Sequence, residues 1–236
     1  MGEAAERHLE EYRERAVGVK VYFDTSLNSS VDKGFLMDAS TFAVKNDLRV
    51  MVHCSNSPIS MADTVRLLSR GDIITHIYHG GANSCTENNF EAFRLARDKG
   101  VIMDGGFAGF VHTDFKNLAE SFKAGYFPDT ISTDITRYSA FKRGGRYGMT
   151  SCMSLVKDLG MKEENIFKAV TSSPANVLGK GDEWGYLKVG RCADIAVLDY
   201  TNEGYDMTDK AGNRVHNTEG YRCTLTVSDG EVVYRD

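Results

Sequence analysis

The sequence predicts an α/β chain, a parallel sheet built from repeated strand–helix units followed by a small β module. Three observations carry this. Short apolar runs recur at intervals of about 25 to 31 residues, helical patterns lie between them, and from residue 185 onward the texture turns to alternating strands. Intervals of that length suit a strand, a crossover helix and the next parallel strand.

The runs read as buried strands: VGVKVYF (17–23), LRVMVHC (48–54), DIITHIY (72–78), GVIMDG (100–105) and DTISTDI (129–135). Each is rich in Val, Ile or aromatic residues and too short for a core helix. Between them, MADTVRLLSRG aligns Met61, Val65 and Leu68 and stops at Gly71. NNFEAFRLARDKG aligns Phe90, Phe93 and Ala96 and stops at Gly100, and KNLAESFKAG aligns Leu118 and Phe122 and stops at Gly125. A glycine just past the last periodic residue supplies the left-handed conformation that ends a helix. Further helices are expected at 150–160 and 162–173, then a short one in SPANVLGKG with Ser173 as cap and Pro174 at its first position. GYLKVGRCADIAVLDY and YRCTLTVSDGEVVYRD alternate as strands, and SDGE signals a hairpin turn, so 186–236 reads as the β module. The sheet could close into a barrel or stay open and doubly wound. The open form normally carries a glycine-rich phosphate loop after its first strand, where this chain has FDTSLNSS.

Composition narrows the function. The chain has 236 residues, 42% hydrophobic and 26% charged, with a net charge of −5 and no long basic run, which argues against a nucleic-acid partner. No apolar run approaches the ~18 to 20 residues of a bilayer span, and the first twenty residues are too charged for a secretory signal, so no membrane partner is expected. The five cysteines lie far apart with no CxxC pair. That spacing fits a reducing cytoplasm, the expected location, and supplies no thiolate zinc site.

The chemistry lies in what interrupts the strands. Lys20, His53, His76 and Asp134 fall in or near the C-terminal halves of four runs. In a parallel barrel those ends form the active-site face. Singly, each has a plainer explanation: Lys20 a snorkelling edge residue, each histidine a satisfied core group, Asp134 a loop cap. Together, at repeated spacing, they point to a cation site. Two neutral imidazoles and a carboxylate suit Zn²⁺ or a similar divalent ion, one or two of them. An ammonium cannot ligate a metal. A lysine whose pKa is lowered by burial beside cations can react as the neutral amine with CO₂, and the carbamate so formed on Lys20 could bridge two ions.

These residues resemble the amidohydrolase superfamily, specifically its dihydroorotase-like deacetylase branch. The likeness is carried by VGVKVY, RVMVHCSNSP, RGDIITHIYHGG, GVIMDGG, PDTISTDI, AVTSSPANVLG and GYLKVGRCADIAVLD, nearly the whole chain. It implies a (β/α)8 TIM-type barrel whose last strands belong to a small β sandwich. It also implies that Lys20 is the carboxylated bridging lysine and that His53 and His76 hold the more exposed metal. Asp134 would hold the buried metal and act as general acid/base. Such barrels open with a His-x-His pair on the first strand. This chain has none, its six histidines being 8, 53, 76, 79, 112 and 216. It also reads Asp104-Gly105-Gly106 where the branch has D-x-G-H-G. A full barrel needs about 250 residues. The expectation is therefore a partial barrel over 1–185, N-terminally incomplete, plus the β module at 186–236.

The resemblance implies a metal-dependent amidohydrolase or deacetylase acting on an acyl amide or ester of a small molecule. With one set of ligands present in full, the chain is expected to bind about one ion and to be weakly active. Two alternatives stand beside it: a cyclic-amide hydrolase of dihydroorotase or hydantoinase type, and a catalytically silent truncated homologue acting as a binding partner. Candidate substrate contacts are Tyr78, His79 and one of Arg137, Arg143 and Arg146, whose guanidinium could pair with a substrate carboxylate. Tyr12 and Tyr22 read as packing residues, and His112 has no assigned role. An unpaired strand edge at 17–23 would favour a homo-oligomer, which light scattering would read.

Overall fold

The structure is a computed structural model that describes residues 2–137, 139 and 147–236. The chain divides into two compact units, Met1–Asp104 and Gly105–Asp236.

The first unit runs α1 (Glu3–Tyr12), β1 (Gly18–Tyr22), α2 (Lys33–Lys45), β2 (Arg49–His53), α3 (Met61–Leu67), β3 (Ile73–Thr75), α4 (Glu87–Lys99) and β4 (Ile102–Asp104). The four strands are parallel and hydrogen-bonded in sequential order, without the reversal of order that defines a doubly wound sheet. Helix starts are set by local chemistry. Asp32 Oδ1 accepts from the Phe35 amide at 2.9 Å to open α2, and Ser60 Oγ accepts from the Asp63 amide at 3.0 Å to open α3. Gly100, at φ 72°, closes α4 in the left-handed conformation. α1 buries no residue and is tied to α2 by a 2.9 Å ion pair between Glu6 and Lys45.

Register sorts the strand residues between two faces. Val21, Val52, Ile74 and Met103 lie in one row, each at most 3% exposed, on the same face as Val50. Leu36, Ala39, Phe42 and Ala43 of α2 and Phe93 and Ala96 of α4 are buried on their helices. Burying each larger side chain contributes roughly 1.5–3 kcal/mol. The opposite face carries two rows, Lys20–Met51–Ile73–Ile102 and, one step toward the C-terminal ends, Tyr22–His53–Thr75–Asp104.

In the second unit a 3₁₀ turn (Gly109–Val111) leads to α5 (Phe115–Lys123), α6 (Met149–Asp158), α7 (Glu163–Val170) and α8 (Ser172–Val177). Then come β5 (Ile195–Thr201), β6 (Tyr205–Thr208), β7 (Arg214–Asn217), β8 (Gly220–Ser228) and β9 (Glu231–Arg235). β5, β8 and β9 form an antiparallel sheet, and β6 pairs with β7. The SDGE turn joins β8 to β9, with Asp229 at φ 49° and Gly230 at φ 82°, the double positive φ of a tight hairpin.

Several expected elements are shortened or shifted. The 72–78 strand stops at Thr75 because His76 turns left-handed, at φ 63°. The expected 129–135 strand is an extended segment rather than a ladder. Its carbonyls at Thr130, Ser132 and Thr133 accept from Gly105, Phe107 and Ala108, and its Ile131 amide donates to Ala169 of α7. The cap expected at Ser173 is displaced: α8 begins at Ser172 after Thr171, with no side-chain cap bond. Among the described residues no helix is long and apolar enough to cross a membrane.

At the opposite end of the first sheet from the two histidines, Asp72 is 4% exposed and joins β2 to the turn before β3. Its carboxylate accepts from the Val50 amide at 2.8 Å and the Ser69 amide at 2.7 Å. A D72A variant strands both donors and should lose about 2–6 kcal/mol of stability in urea denaturation, at about 1–3 kcal/mol per unsatisfied group. D72N, which keeps one acceptor, should lose less.

Candidate metal centre

His53 is the last residue of β2 and His76 the first residue beyond β3, so strand register delivers both to the C-terminal rim of one sheet. They are 3% and 2% exposed. Their ring centroids lie 4.6 Å apart with planes at 73°, an edge-to-face contact. Tyr22, paired with His53 in register, stacks on its ring at 5.0 Å and 30°. In the same row Thr75 Oγ1 donates to Asp104 Oδ2 at 2.7 Å, and both residues are buried.

Asp24 completes the group. It follows β1 on the alternation of Lys20 and Tyr22 and is 3% exposed. Its Oδ2 lies 3.3 Å from His53 Nε2. Its carboxylate also accepts from the Ser26 amide at 2.8 Å, Ser26 Oγ at 2.6 Å and Asn56 Nδ2 at 3.1 Å. Burial by itself would raise the Asp24 carboxyl, but the donors of Ser26, Asn56 and His53 outweigh it and hold the group below the usual carboxylate range. Cys54, next to His53, has its thiol pushed well up by burial and then by Cys85, and its Sγ donates to the Thr75 carbonyl at 3.1 Å. It is therefore a protonated structural group rather than a thiolate ligand.

The donor chemistry fits a divalent ion. Two buried imidazoles from successive strand ends, beside an ionised carboxylate, are borderline-hard ligands of the sort zinc takes.

The structure places the other expected site residues as follows. Lys20 sits mid-strand in β1, one row below Tyr22 and His53, and is exposed. Asp134 belongs to the second unit, where it is exposed and its carboxylate lies 3.9 Å from His112 Nε2. Tyr78 is buried and its ring lies 6.2 Å from that of Phe93 in α4, the position of a core residue. His79 is fully buried and its Nδ1 accepts from the Gly81 amide at 3.1 Å. Arg137 is exposed, while Arg143 and Arg146 lie outside the described residues. Sequence reasoning missed three neighbours. The strand alternation continued from Lys20 and Tyr22 would have found Asp24, and the register would have set Tyr22 against His53. Nothing in the spacing marked His112 as the neighbour of Asp134.

Two of the candidate residues hold left-handed backbone, His76 at φ 63° and Asp134 at φ 46°. Such conformations in non-glycine residues persist where the surroundings enforce them, and they cluster at functional sites. Asn tolerates this region and β-branched residues do not. H76V should therefore be less stable than H76N by about 1–2 kcal/mol in chemical denaturation. Equal stabilities would mean that the turn at His76 is not left-handed.

Residues 3–233 match the Amidohydrolase family. Deacetylases of Brucella anthropi and Agrobacterium fabrum are each 29% identical over 167 residues, which is 70% of this chain and 40% of theirs. The chain thus spans less than half the length of these curated relatives. A dihydroorotase crystal structure superimposes with a TM-score of 0.86 at 26% identity, covering 98% of this chain and 61% of that one. The chain belongs to the amidohydrolase family of hydrolases.

Proposed function

We propose that this chain carries the metal-binding part of a hydrolase that cleaves the acyl amide or ester bond of a small molecule. The observation that carries the reading is the buried His53–His76 pair at the ends of adjacent parallel strands. The deacetylase names of the relatives support the acyl class. In this reading β1–β4 are an arc of a (β/α)8 barrel, which their sequential parallel order supports, and β5–β9 contribute to a small β sandwich.

His53 and His76 would hold a divalent ion, zinc by ligand type. When bound, that ion supplies Lewis-acid polarisation of the acyl carbonyl and makes water a nucleophile near neutral pH. The residues do the rest. The two imidazoles fix where the ion sits, because the register of β2 and β3 fixes them. Asp134 has the role the family resemblance gives it, taking the proton from water and returning it to the leaving group. Lys20, as its CO₂-derived carbamate, would add two anionic oxygens. In this chain Lys20 is exposed and the sequence holds no His-x-His pair, so we propose one tightly held ion and weak turnover.

A second reading within the same chemistry, a cyclic-amide hydrolase, is favoured by the similarity to the dihydroorotase structure. Hydrolysis of N-acyl amino acids set against hydantoins and dihydropyrimidines separates the two. For the metal, the expected content is about one zinc per chain, falling toward zero in the H53A/H76A double variant. Two ions per chain with robust turnover, or unchanged metal content in the double variant, would contradict the proposal.

A further inference from the structure

Asp24 has no part in the reading above, yet it is heavily bonded at the rim. Its two oxygens receive Ser26 through both backbone and hydroxyl, Asn56 through its amide, and the Nε2 edge of His53. It is 3% exposed, so water does not compete for these bonds. Asn56, at φ 71°, holds a turn in which its carbonyl also accepts from Thr25, by backbone amide at 3.1 Å and hydroxyl at 3.0 Å. The loops after β1 and β2 are thereby locked around one carboxylate.

A carboxylate can only accept, so the imidazole edge facing it must donate. We propose that Asp24 is a positioning residue: it fixes His53 as the Nε2–H tautomer and so reserves Nδ1 as the nitrogen offered to a divalent cation. Two physical consequences follow. The ring is held in one orientation by a hydrogen bond on one edge and by the Tyr22 stack on its face. The acceptor also makes the opposite nitrogen more basic, which strengthens it as a ligand. The inference rests on the reading that His53 and His76 bind a metal ion, and it adds which atom of His53 does so and what sets it.

The direct test is ¹⁵N imidazole NMR on the metal-free full chain near pH 8, with the His53 signals assigned by their loss in H53N. The expected pattern is a protonated Nε2 and an unprotonated Nδ1. A protonated Nδ1 would overturn the proposal without any variant at Asp24. Zinc affinity, measured by competition with a chromophoric chelator, then tests the consequence. D24N should weaken binding by about 10–100-fold, the usual effect of losing such an orienting partner. A Co²⁺-loaded D24N chain should keep the coordination number of the wild type, read from its visible absorption. Loss of one ligand would instead make Asp24 a direct ligand and contradict positioning. If H53A and H76A abolish zinc binding while D24N binds as the wild type does, only the role of Asp24 fails. If zinc binding survives in H53A and H76A, the underlying metal site fails.

Discussion

The register of four parallel strands is the constraint on which the site depends. Because side chains alternate along a strand, pairing Tyr22 with His53 and His53 with Thr75 puts the polar row on one face and the Val21–Val52–Ile74–Met103 row on the other. A slip of one residue between β1 and β2 would carry His53 to the apolar side. The buried Val21, Val52, Ile74 and Met103 thus fix the location of an imidazole on the opposite face. Asp72 secures the same register from the far end by accepting from the Val50 amide of β2 and the Ser69 amide before β3.

The two ends of the first sheet divide stability from chemistry. At the N-terminal end the polar groups are satisfied by backbone donors and close the structure. At the C-terminal end the polar groups face one another: two imidazole rings in edge contact, a tyrosine stacked on one of them and a carboxylate beside it. The left-handed backbone at His76 belongs to that end too. It ends β3 at Thr75, and the ring it carries lies edge-on to that of His53. Strain and proximity therefore arise from the same residue.

Much of this was legible in the sequence. Apolar runs marked β1, β2 and β4 within one or two residues and the start of β3 within one, and glycines such as Gly100 and Gly230 marked the turns they form. His53 and His76 stood out because a polar residue at the end of a buried strand needs a reason. What the sequence withheld was three-dimensional pairing. Asp24 was hidden because its value lies in which side chain it faces across β1 and β2. His112 was hidden because a loop carries no period. The run at 129–135 has strand composition, but its amide at Ile131 bonds a helix end rather than a neighbouring strand, so composition alone mistook it for a ladder. Tyr78 reads like an exposed loop residue after His76, yet the left-handed turn sends it into the core against Phe93.

The central claim is that the His53 and His76 rings share one cation. A crystal of the zinc-loaded chain, measured on both sides of the zinc absorption edge, tests it most directly. The account predicts an anomalous peak about 2.0–2.1 Å from one nitrogen of each ring. A peak bound to neither ring, with both imidazoles filled by hydrogen bonds alone, would contradict it.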